Sequence, residues 1–142
     1  MSTQQPRGVH HLAIQVRDLP SAERFYCGLL GLAVLKRWPF PDGRPGERSL
    51  WVSTGDGGSF LALEACEGSR ADQSFRDARP GLHLLALRIG VSEREAWEKR
   101  LGEAQVPIVH KSAFTLYVLD PEGNRIGLSH HPDEADLADD RR

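Results

Sequence analysis

The chain has 142 residues and a formal net charge of −2 at pH 7, with 18 basic and 20 acidic side chains spread along it. That length suits one domain with its own core, and the charge leaves no basic footprint for nucleic acid or an anionic membrane. Cys27 and Cys66 lack C-x-x-C spacing, no run approaches the ~18 apolar residues of a membrane span, and MSTQQPRG has no apolar signal core, so a reduced, cytoplasmic protein is expected.

In chain order, His10 to Val16 reads as a strand. Leu19 to about Leu30 reads as a helix, because Ala22, Phe25, Tyr26, Leu29 and Leu30 recur at helical spacing and Gly31 can stop it. Leu32 to Trp38 is a second strand, and the Pro/Gly-rich PFPDGRPGE that follows is a loop. Arg48 to Ser53 and Ser59 to Cys66 form a hairpin across TGDGG. After a polar connection, about Glu67 to Pro80, the order recurs: Gly81 to Ile89 a strand, and Ser92 to Gly102 a helix capped by Ser92 with Glu95 as its capping-box partner. Val106 to His110, Phe114 to Leu119 and Asn124 to His130 are three more strands, the last two joined by the turn DPEG, and the tail DEADLADDRR is charged and frayed.

The recurrence extends to residues. HLAIQVRDLPSAERFYCGLL from His11 and HLLALRIGVSEREAWEKRLG from His83 align without a gap at a separation of 72, sharing Glu23/Glu95, Phe25/Trp97 and Leu29/Leu101. One supersecondary unit used twice puts two imidazoles in equivalent places, the pattern of a paired-ligand site. Strand alternation sends Leu12, Ile14 and Val16 to the helix and His11, Ala13 and Gln15 to the opposite, concave face, together with Phe60, Ala62 and Glu64 and with Arg125, Gly127 and Ser129. His83 goes inward with Leu85 and Leu87, which leaves Arg88 out of place on the core side. Trp51 and Phe60 offer stacking surface, Arg125 a partner for an anionic group and Tyr117 a donor. His10 is expected on the other face, and His110, His130 and His131 as solvated or locally bonded.

HLAIQVRDLPSAERFYCGLLGL, LEAC, GLHLLAL and LYVLDPEGNRIGL together resemble the vicinal oxygen chelate superfamily of glyoxalases, extradiol dioxygenases, fosfomycin-resistance enzymes and bleomycin-resistance proteins. The resemblance implies an α+β fold of two tandem βαβββ modules forming a cup-shaped mixed sheet, a single domain over 1–142 with module one at about 8–66, a linker at 67–80, module two at 81–131 and the tail at 132–142. It also implies a homodimer, a small-molecule substrate and a divalent metal (Fe, Mn, Zn, Ni or Co) held by His11, Glu64 and His83. The usual fourth ligand place holds Gly127, which has no side chain to ligate, and His131, four residues on, stands roughly 13 Å away along a strand. Glu64 is then the candidate catalytic base for glyoxalase-like lyase or isomerase chemistry, or one ligand of a dioxygenase-type centre. The alternatives are a metal-free binding or drug-resistance protein of the bleomycin-resistance type, and a module whose cup is filled by Leu85 and Leu87.

Overall fold

A computed structural model describes residues 4–55, 57–68 and 80–130. The chain falls into two compact units, Met1–Arg70 and Ala71–Arg142. The N-terminal unit opens with strand β1 (His11–Val16), whose alternating Leu12, Ile14 and Val16 face inward. Helix α1 (Leu19–Glu23) starts where Asp18 accepts a hydrogen bond from the Ser21 N–H at 3.1 Å, with Pro20 in the first turn where no N–H is needed. The helix then widens into a π-helical stretch, Arg24–Leu29, in which the Leu30 N–H reaches the Phe25 carbonyl at 3.0 Å. Phe25 and Tyr26, in this stretch, are both buried. Gly31, at φ 79°, ends the helix in the left-handed region.

Strands β2 (Val34–Pro39), β3 (Glu47–Ser53) and β4 (Phe60–Ala65) follow as antiparallel neighbours, and β1 pairs parallel to β4, giving the order β1-β4-β3-β2. Helix α1 packs across β3 and β4. Leu50, Val52, Leu61 and Leu63, all at 0 % exposure, form the core beneath it. Arg37 on β2 bonds both carboxylate oxygens of Glu47 at 3.2 Å and also binds Glu23, tying β2 to the helix and to β3.

The second unit repeats the plan: β5 (Leu85–Arg88), a 3-10 turn at Val91–Glu93, α2 (Arg94–Glu103), β6 (His110–Lys111), β7 (Thr115–Leu119) and β8 (Arg125–Ser129), with sheet order β5-β8-β7-β6. Ser92 does not cap this helix; the Glu93 carboxylate accepts from the Gly90 N–H at 2.8 Å, inside the 3-10 turn. The strand expected from Val106 shrinks to two residues, because Pro107 offers no N–H to a ladder. Among the described residues no helix is long and apolar enough to cross a membrane. Most of the expected 67–80 linker and all of the tail lie outside the described residues.

The register of the repeat differs from the ungapped alignment by one residue. In the first sheet Leu12 pairs with Leu61 and Ile14 with Leu63; in the second Leu85 pairs with Ile126 and Leu87 with Leu128. Leu12 and Leu85 are therefore equivalent, 73 positions apart, and Leu84 stands where His11 stands. Burial decides the register: a slip of one residue would turn every side chain of β5 to the wrong face, which outweighs matching two histidines. With that shift, Leu85 and Leu87 belong to the core side, Ile89 is buried and Arg88 is exposed, so the misplaced arginine disappears.

Candidate functional site

In the N-terminal unit the sheet face opposite α1 carries an aromatic ladder running diagonally across four strands. The His11 ring stacks on Phe60 with centroids 4.8 Å apart and planes 7° from parallel. Phe60 stacks on Trp51 at 4.4 Å and 29°, and Trp51 meets Trp38 edge-on at 5.1 Å. Trp51 and Phe60 were expected on this face; Trp38, on the next strand, extends it. His10 joins the same face instead of the opposite one. It lies before β1, outside strand alternation, its Nδ1 is 2.9 Å from Nδ1 of His11 and its ring is 5.5 Å from Phe60.

Beside the ladder runs a polar row. Trp38 pairs with Ser49, Ser49 with Glu64 and Glu64 with Gln15, so four strands contribute one polar side chain each to one level of the face. Ser49 is only 3 % exposed. Its hydroxyl and the Trp38 indole N–H are both buried and have no hydrogen-bond partner among the described residues. Glu64 is half-buried, and no hydrogen bond or ion pair engages its carboxylate among the described residues. Sequence reading missed Trp38 and Ser49 as a pair, although Ser49 precedes Trp51 by two positions on the same strand and so shares its face.

The metal-ligand places come out differently. His11 pairs with Phe60 and Glu64 with Gln15, so these two candidates share a face but sit four residues apart in register, roughly 13 Å along the strands. In the second unit the equivalent of His11 is Leu84. Gly127 is no open vacancy there: a Cβ built on it meets Thr115 Cγ2 at 3.0 Å, Leu84 Cδ1 at 3.4 Å and Ser129 Oγ at 3.5 Å. His83 is exposed, lies ahead of β5, and its carbonyl accepts from Arg125 Nη1 at 3.5 Å. Arg125 is accordingly buried, at 8 % exposure, and not aimed at solvent to receive an anion. Tyr117, read from the sequence as a donor, pairs with Gly127 and has the His110 ring 5.4 Å away. His130 lies 3.3 Å from Arg94 Nη1, and His131 is outside the described residues. Among the described residues no three His, Cys, Asp or Glu side chains gather in a way that holds a metal ion. Taken unit by unit, the described residues do not present a ligand set that fits a divalent ion: His11 and Glu64 stand roughly 13 Å apart along their strands, and Leu84 and Gly127 offer no ligating side-chain atom. Burial and then nearby Glu23, against a smaller opposing pull from Arg37, push the Cys27 thiol up from 9.0, which disfavours the thiolate.

The family model described as Glyoxalase/Bleomycin resistance protein/Dioxygenase superfamily matches residues 8–128. Among solved structures, a glyoxalase/dioxygenase from Nostoc punctiforme is similar at 26 % identity and TM-score 0.77, over 94 % of this chain and 99 % of that one. The trypanothione-dependent glyoxalase I of Leishmania major is 24 % identical at TM-score 0.72, covering 96 % of this chain and 95 % of its own. The fosfomycin resistance protein FosX of Listeria monocytogenes, crystallised with Mn(II) and a dihydroxypropylphosphonic acid, is 13 % identical at TM-score 0.70, over 94 % of this chain and 99 % of that one. The last two likenesses concern the fold. No curated protein matches the chain.

Proposed function

Since this chain belongs to the Glyoxalase/Bleomycin resistance protein/Dioxygenase superfamily, we propose that it binds a planar aromatic small molecule on the ladder face of its N-terminal unit, without a resident metal. The single observation that carries this reading is the run His11–Phe60–Trp51–Trp38, stacked or edge-on at 4.4 to 5.1 Å. Half-buried rings in such an array give a flat ligand broad contact area at low cost in side-chain entropy, because their neighbours already hold them in place. The metal-dependent lyase, isomerase or dioxygenase reading asks His11, Glu64 and His83 for one coordination sphere; the register of β1 against β4 and the Leu84 equivalence both weigh against it.

Isothermal titration with naphthalene, beside elemental analysis of protein purified without chelator or nickel, tests the proposal. Saturable binding is expected, about tenfold weaker in Trp51→Ala, with metal far below one ion per chain. Near-stoichiometric metal that is lost in both His11→Ala and Glu64→Ala would overturn the proposal and restore the metal centre.

A further inference from the structure

The ladder explains affinity for a flat ring but not the polar row beside it. A buried hydroxyl and a buried indole N–H without partners each cost stability that an apolar residue would not. We infer that Trp38, Ser49 and Glu64 form a specificity-determining edge that reads a hydrogen-bonding pattern on the ligand. The inference rests on the proposed aromatic-binding function and deepens it. Trp38 Nε1 can only donate, the Glu64 carboxylate can only accept while ionised, and the Ser49 hydroxyl between them does either. The row runs from β2 to β4, about 10 Å across two strand spacings. The matching ligand is a fused-ring nitrogen heterocycle with an acceptor at the end facing Trp38 and an N–H donor at the end facing Glu64. The exposed Lys36, its ammonium 4.0 Å from the Trp38 ring centroid, covers the Trp38 end and is the flexible group that an arriving ring displaces.

The test compares two bicyclic compounds on the full chain by isothermal titration: naphthalene, with neither polar end, and 6-aminoquinoline, with a ring-nitrogen acceptor and an amino donor at opposite ends. The parent protein is expected to prefer 6-aminoquinoline by about tenfold. Ser49→Ala and Glu64→Leu should each bring that preference to within about twofold while naphthalene affinity stays, which also shows that the variants are folded. Because the Ser49 hydroxyl has no partner, the unliganded Ser49→Ala protein should melt at the same temperature as the parent or a few degrees higher. Equal affinity for the two compounds in the parent overturns the edge and leaves the aromatic-binding function standing. Binding of neither overturns both. A melting temperature lowered by Ser49→Ala, with the preference intact, shows a purely structural hydroxyl and also overturns the edge.

Discussion

Gly127→Ala tests whether the second unit has closed its ligand place. The added Cβ would lie 3.0 Å from Thr115 Cγ2, against an ordinary contact of 3.4 Å or more, so the threonine methyl must yield by several tenths of an ångström. Thr115 is not free to turn away: it is 8 % exposed, and its hydroxyl is 2.8 Å from that of Ser129. Rotation would give up a buried hydrogen bond. Overpacking of this kind costs about 1–3 kcal/mol, and replacing glycine returns about 0.4–1 kcal/mol through the unfolded chain, so a net loss of about 1–2 kcal/mol is expected. Thr115→Ser removes the obstructing methyl and keeps the hydroxyl, at a cost of about 0.8 kcal/mol for the lost methyl. In that background Gly127→Ala should be neutral or slightly stabilising. Urea unfolding of the parent, both single variants and the double variant gives the coupling energy, expected at about 1–2 kcal/mol. Equal effects of Gly127→Ala in the two backgrounds, or a stabilised single variant, would refute the claim that Thr115 occupies this place.

Phe60→Ala removes the central ring between His11 and Trp51; for a half-buried aromatic a destabilisation of about 2 kcal/mol is expected in urea, and a change below about 0.5 kcal/mol would mean that the rings do not support one another. Hydrogen bonds from the Ser21 hydroxyl and then the Ser21 N–H hold the Asp18 carboxyl below its ordinary 3.8. A depressed carboxylate contributes stability above its unfolded pKa and loses it as pH falls through the folded one, so the melting-temperature deficit of Asp18→Ala should be full near neutrality and shrink below pH 3.8. A deficit unchanged in strong acid would show that the charge plays no part. Gln105, at φ 57° just beyond α2, occupies a left-handed position that suits glycine; Gln105→Gly is expected to stabilise by up to about 1 kcal/mol in urea, and a loss would mean that the glutamine side chain holds the helix end.

Most strands were legible because their side chains alternate between the two sheet faces with a period of two: Leu61 and Leu63 against Phe60 and Glu64, or Ile126 and Leu128 against Arg125 and Gly127. The helix after β1 was legible in extent but not in kind, since apolar spacing from Ala22 to Leu30 suits an α-helix and its π-helical half alike. The site was legible only in part. Face assignments for His11, Trp51, Phe60, Glu64 and Tyr117 follow from alternation and hold. The place of His83 did not, because it hung on aligning two histidines, and the one inconsistency in that alignment, Arg88 on the core side, was the signal that the register was off by one. Trp38 entered the ladder only once the antiparallel pairing of β2 with β3 was known, a long-range fact that no local pattern carries.

The wide turn at Arg24–Leu29 contains one residue more than an α-helix needs to travel the same distance. Apart from its own helix backbone and chain neighbours, no atom of the described residues lies within 4 Å of a Cβ built on Gly28. Deleting Gly28 would place Leu30 four residues beyond Phe25 instead of five, so the donor and acceptor now joined at 3.0 Å would meet again as an ordinary α-helical bond. The segment thus carries a length reserve: the chain can lose one position here without changing which residues close the turn.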